Sequence, residues 1–61
     1  MNEVQKLKEL VASVEFEVSK FEQKGTAASV GRARKALQEI KKTCQVMRVS
    51  LMEAKKAAKA S

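Results

Sequence analysis

Apolar residues return at alternating intervals of three and four along almost the whole chain, and the pattern is interrupted once. Val4, Leu7, Val11, Val14, Val18 and Phe21 form the first run, with Leu10 widening it. Val30, Ala33, Leu37, Ile40, Cys44, Met47, Leu51, Ala54 and Ala58 form the second. Such spacing averages 3.5 residues, near the 3.6 of an α-helix, so each run lies along one helix face. Proline is absent and glycine occurs only at 25 and 31. The composition, dominated by Val, Leu, Ile, Ala, Met, Lys, Glu and Gln, favours helix and argues against an all-β fold.

The spacing predicts helices over about 2–23 and 26–59. Asn2 suits the N-cap of the first, with Gln5 three residues on and Glu3 at the positive helix end. Lys20 and Lys24 suit its last turn. Gly25 is a natural residue just past the end, because it adopts positive φ without a Cβ penalty. Thr26 supplies an N-cap for the second helix. Gly31 costs about 1 kcal/mol inside a helix relative to Ala, so a later start with Ser29 as the cap is the alternative. So short a connection folds the helices back as an antiparallel hairpin. The arms are unequal, about 33 Å and about 51 Å at 1.5 Å per residue. The Ala/Lys-rich segment 55–61 is expected to fray as a basic tail unless a partner covers it.

The 61 residues make at most one domain, 1–61. A chain of this size buries only about 60% of the surface its unfolded form exposes. Small scaffolds therefore lean on disulfides, a metal or a partner chain. One cysteine, Cys44, excludes an internal disulfide, and with no histidine a four-ligand zinc site is out of reach. Self-association remains. The expectation is a homodimer or higher assembly in which two hairpins form a four-helix bundle. Its core and dimer contacts would come from Val4, Leu7, Val11, Val14, Val18, Phe21, Leu37, Ile40, Cys44, Met47 and Leu51. Cys44 is read as a small buried hydrophobe.

The net charge of +6 is unevenly placed. Residues 1–24 carry four bases against five acids, whereas residues 25–61 carry nine bases against Glu39 and Glu53. In heptad terms Arg34, Lys41, Arg48 and Lys55 share one position, and Lys35, Lys42 and Lys56 the next. Arg32 and Lys59 extend this ribbon at its ends. A rigid row of cations about 10.5 Å apart suits a phosphate backbone, where binding releases counterions. A charged helix face is ordinarily just a solvated one, but such faces mix signs, as the first helix does. The nine cations are therefore the candidate DNA contacts. With no Trp or Tyr and only Phe16 and Phe21, platforms for stacking single-stranded bases are missing. Double-stranded DNA, bound through backbone and shape, fits better.

Phe16, Val46 and Val49 lie off the expected core face. They are scattered surface hydrophobes, a surface for higher assembly, or an apolar wedge against DNA. No enzyme is visible: there is no His or Asp, no phosphate-binding loop and no nucleophile with a base. No cofactor or small-molecule substrate is expected. A helical adaptor for a protein partner and a peripheral membrane binder remain the other readings. The second is disfavoured because Ala33, Ala54 and Ala58 occupy a face that membrane binding would fill with large side chains. No apolar run approaches the roughly 18 residues of a membrane span, and the first residues lack a signal-peptide core. A cytoplasmic, nucleoid-associated location follows as the expectation.

The stretch Gly25-Thr-Ala-Ala-Ser-Val-Gly-Arg32-Ala-Arg34-Lys35, followed by Ala36-Leu37-Gln-Glu-Ile40-Lys41-Lys42, resembles the N-terminal helical part of the chlamydial-type linker-histone-like proteins. That family includes short bacterial members with a Gly-Asn-Lys-Ala-Ala-Gly-Thr-Arg-Ala-Arg-Lys segment. The resemblance implies a nucleoid-associated, DNA-compacting protein, with the family's Arg-x-Arg-Lys falling on Arg32, Arg34 and Lys35. Two departures matter. The turn reads Gly25-Thr26-Ala27, one cation fewer, and the long Lys/Ala/Pro tail of larger members shrinks to Lys55–Ser61.

Overall fold

The computed structural model describes residues 2–60, which form two helices and the short turn between them. Helix α1 spans Asn2–Lys24 and helix α2 spans Ala27–Ala60. They pack against each other as a hairpin whose longest dimension is 55 Å. Both boundaries fall within a residue of the spacing-based expectation. Helix α2 begins at Ala27, so Ser29 is not a cap. It lies inside the first turn and is fully buried.

Gly25 makes the turn. Its φ is +64°, the left-handed region, and its N–H donates to the Phe21 carbonyl at 2.7 Å. This is the single-bond αL cap, which satisfies one of the carbonyls left open at the end of α1. Four residues after Gly25 the Ser29 N–H donates to the Thr26 carbonyl at 3.1 Å, in the first turn of α2.

The line of contact between the helices differs from the expected stripe. On α1 the part-buried line runs Glu3, Leu7, Leu10, Val14 and Glu17, with Lys20 part-buried beyond it. On α2 the line runs Ser29, Ala33, Ala36, Ile40, Thr43, Met47 and Ser50. Both lines keep the four–three alternation but are rotated relative to the sequence reading. Ser29, Ala33 and Thr43 are the buried residues of α2. The physical reason is size. The small side chains Ser29, Ala33, Ala36 and Thr43 of α2 make room for the larger Leu7, Leu10 and Val14 of α1.

The residues expected as core and dimer contacts divide between the seam of the hairpin and its outer surface. Leu7, Val14, Ile40 and Met47 belong to the seam, but Val4, Val11, Val18, Phe21, Leu37 and Leu51 are exposed. Cys44 is exposed as well. These outward residues are not scattered. Val4, Val11 and Val18 form one line on α1, and Val30, Leu37, Cys44 and Leu51 form another on α2. Each line follows the seam one position on in the same rotational sense. In an antiparallel pair, that puts both lines on the same side of the hairpin.

Helix α2 outruns α1. Glu17 lies level with Arg32, which an ion pair joins, so Asn2 comes level with about Met47. Ser50 is the last residue with partial cover, and 51–59 are exposed throughout.

Candidate nucleic-acid interface

Each of the four apolar residues of the outward line on α2 is followed four residues later by a cation. Val30 leads to Arg34, Leu37 to Lys41, Cys44 to Arg48 and Leu51 to Lys55. In a helix that step moves the side chain about 40° further round, so the ribbon forms the outer rim of the apolar face. The four span 21 residues of rise, about 32 Å, near the roughly 34 Å of one duplex turn. The corresponding rim of α1 reads Lys8, Glu15 and Glu22. One edge of the face is thus strongly basic and the other mixed.

The nine sequence-predicted cations divide into two groups and two single residues. Arg34, Lys41, Arg48 and Lys55 are exposed and have no acid three or four residues away in either direction. Nothing on their own helix is placed to neutralise them. Arg34 and Lys41 border a shallow open depression floored by Gly31, with Lys35, Leu37 and Gln38 around it. Arg48 and Lys55 flank Leu51 and Met52 further along. The second group, Lys35, Lys42 and Lys56, lies on the other flank of α2. Each has a glutamate three or four residues away, and Lys42 Nζ stands 3.9 Å from Glu39. Lys59 lies in the last turn, beyond the reach of α1.

Arg32 stands apart from both. Its Nε donates to Glu17 Oε2 on α1 at 3.0 Å, and Nη2 donates to the Ser29 hydroxyl at 3.3 Å. The hydrogen bond from Arg32, joined by its positive charge, holds the Glu17 carboxyl below the usual carboxylate range, while partial burial pushes the other way. Arg32 is therefore engaged in clasping the two helices near the turn. The sequence pattern placed it at the end of the ribbon and offered no signal for a partner fifteen residues away.

Phe16 is 61% exposed, and the Lys20 ammonium sits 5.4 Å above its ring. Val46 and Val49 are exposed on α2. Near the turn, Val18, Phe21, Val30 and Ala33 line an apolar groove of about 300 Å³ bounded by Glu17, Glu22, Ser29 and Arg34. Among the described residues no group of His, Cys, Asp or Glu is placed to hold a metal ion. Among them too, no helix is long and apolar enough to cross a membrane.

Comparison with known families agrees with the basic hairpin: residues 1–57 match the family described as histone H1-like protein Hc1. The chain belongs to the Hc1 family. The match takes in α1, the Gly25 turn, α2 as far as residue 57 and eight of the nine candidate cations, leaving Lys59 outside. It also confirms the chlamydial-type histone-like resemblance carried by Gly25 to Lys42. No curated protein and no solved structure matches the chain. The Hc1 assignment therefore rests on the sequence pattern of the hairpin itself.

Proposed function

We propose that this chain is an architectural protein of the bacterial nucleoid, which binds and compacts double-stranded DNA with little regard to sequence. The histone-like family is one of DNA-binding proteins and not of enzymes. The observation that carries the finer reading is the ribbon Arg34, Lys41, Arg48 and Lys55, four exposed cations in line with no acid within helical reach. Phosphate neutralisation by such a row depends on charge and spacing alone and carries no sequence information. Lys35, Lys42, Lys56, Lys59 and Arg32 contribute to the field around the helix. The ribbon makes the contacts. Binding by two copies, joined through the apolar face, is part of this reading.

The test compares two triple variants of equal charge. Lys41→Gln/Arg48→Gln/Lys55→Gln removes ribbon residues, and Lys35→Gln/Lys42→Gln/Lys56→Gln removes the flank. Affinity for unrelated duplexes is measured against salt concentration. Each phosphate contact contributes about 0.9 to the slope of log affinity against log salt. The ribbon triple is expected to flatten the slope by about 2.7 per chain, and the flank triple by less than about 1. Equal effects would mean that net charge acts without a defined ribbon.

The exposed apolar face gives the adaptor reading one specific observation in its favour. In that reading a foreign helix fills the face and DNA binding is weak. Tight, sequence-independent binding to duplexes by the purified chain excludes it.

A further inference from the structure

Every seventh residue of α2, beginning at Gly31, falls opposite the seam. Gln38 is two residues from both Ala36 and Ile40, and Gln45 is two residues from both Thr43 and Met47. Each therefore lies about 180° round the helix from α1. Met52 continues the line. All four residues are exposed, and none is charged. The ribbon of Arg34, Lys41 and Arg48 borders this line on one side, and Lys35 and Lys42 border it on the other. The back of α2 is thus an uncharged stripe between two rows of cations. It lies about 100° round the helix from Val30, Leu37 and Cys44, so it stays open when the apolar face is covered.

From this pattern we infer that α2 lies in the major groove of duplex DNA with its back inward, and that Gln38 and Gln45 hydrogen-bond to base edges there. The dimensions agree. A helix with its side chains is about 10–12 Å across, and the major groove is about 12 Å wide between its phosphate walls. A helix lying outside one phosphate strand uses a single row of cations. This helix carries two rows, with neutral side chains between them where the base edges of a groove lie. The ribbon takes one wall. Lys35 and Lys42, both within helical reach of Glu39, hold the opposite wall less firmly.

Glutamine suits adenine in this groove, because its amide donates to N7 and accepts from the N6 amino group. Neither Gln38 nor Gln45 has a side-chain hydrogen bond to another described residue. Along the helix they stand about 10.5 Å apart, the length of about three base-pair steps. Gly31 is an independent observation on the same line. Inside α2 it is a poorer helix former than Ala. Nothing in the hairpin requires it, since its φ is not positive and a Cβ would meet no atom within 4 Å. It floors the depression beside Arg34 and Gln38. A backbone without a Cβ at that point approaches a groove floor more closely than any other residue type permits. This inference rests on the DNA-binding reading and adds to it the groove and a modest preference for adenine.

The experiment has two arms, both with the full chain and short duplexes. In the first, dimethyl sulfate methylates guanine N7 in the major groove and adenine N3 in the minor groove. Bound protein should protect N7 and leave N3 reactive. N7 that stays reactive on a bound duplex overturns the inference. In the second, adenine is replaced by 7-deazaadenine, which removes the N7 acceptor and leaves every phosphate in place. An adenine-rich duplex so altered should bind about fivefold or more weakly, the size of one bidentate pair. For Gln38→Ala/Gln45→Ala the two duplexes should bind alike. That variant keeps its charge and gains helix propensity, so its salt slope should match that of the unaltered chain and lost folding cannot imitate the result. Gln5→Ala/Gln23→Ala on α1 should retain the full deazaadenine effect. Equal binding of both duplexes by the unaltered chain overturns the inference, as does a deazaadenine effect that survives in Gln38→Ala/Gln45→Ala. A chain that binds no duplex at low salt fails the DNA-binding reading itself. A chain that binds with a steep salt slope and leaves N7 reactive fails this inference alone, so the two failures are distinguishable.

Discussion

Alanine in place of each glycine should have opposite effects, and both signs follow from backbone geometry. Neither glycine has a heavy atom within 4 Å of where a Cβ would sit, so neither substitution creates a clash. They differ in conformation alone. Gly25 holds φ at +64°, where an L-residue's Cβ crowds the following carbonyl at a cost of about 1–2 kcal/mol. Gly31 lies inside α2 without a positive φ, where alanine is the better helix former by about 1 kcal/mol. Gly25→Ala should therefore destabilise by about 1–2 kcal/mol and Gly31→Ala stabilise by up to about 1 kcal/mol. In a domain of this size 1 kcal/mol moves Tm by about 4–8 °C. The double variant should fall near the sum, because the sites share no contact. The assay is thermal and urea unfolding followed at the helical band, at one protein concentration, since pairing would otherwise shift the midpoint. Two shifts of the same sign would refute the reasoning. A stabilising Gly25→Ala would show that the turn does not need its left-handed residue.

Three further outcomes are expected. The Glu17 carboxyl is held below its ordinary value of 4.5 by Arg32, so it stabilises the hairpin above that pH. The stabilisation is lost as pH falls through the lowered native value; Glu17→Gln should flatten this acid limb, and unfolding curves between neutral pH and about pH 2 measure it. Ala33 is 7% exposed in the seam between the helices. Ala33→Leu should separate them and cost about 1–3 kcal/mol in urea titrations, in contrast to a neutral Ala57→Leu on the exposed end of α2. Phe16→Ala removes an exposed ring and its Lys20 contact; stability should change by less than about 1 kcal/mol, and an unchanged DNA affinity would exclude a wedge role.

The hairpin was legible because its causes are local. Gly25 between two helical runs specifies a reversal, and three–four spacing specifies the helices. The rotation of the seam was not legible, because both helices carry adjacent lines with the same period. Hydrophobicity ranks Val30, Leu37 and Leu51 above Ser29, Ala36 and Thr43, yet close approach ranks them the other way. The large residues are left on the surface that a single hairpin cannot cover. The ribbon was legible from heptad arithmetic. Its separation from the flank of Lys35, Lys42 and Lys56 depends on where Glu39 and Glu53 fall, three or four residues from those lysines. The bond from Arg32 to Glu17 was not legible, since no local rule links residues across the turn.

The unequal lengths of the helices give this molecule a gradient of permanence. Near Gly25 the backbone is held by the cap, the clasp and a close seam. Past Ser50 a single turn-by-turn ladder stands in water, and an isolated helical stretch this short is marginal. Amide hydrogens should accordingly exchange slowly around Ser29 and Ala33 and rapidly from Leu51 onward. The end that carries Lys55, Lys56 and Lys59 can unwind and re-form without dismantling the rest. On the DNA-binding reading proposed above, that end would follow the curve of a duplex that a rigid rod of the same charge would touch at only a few points.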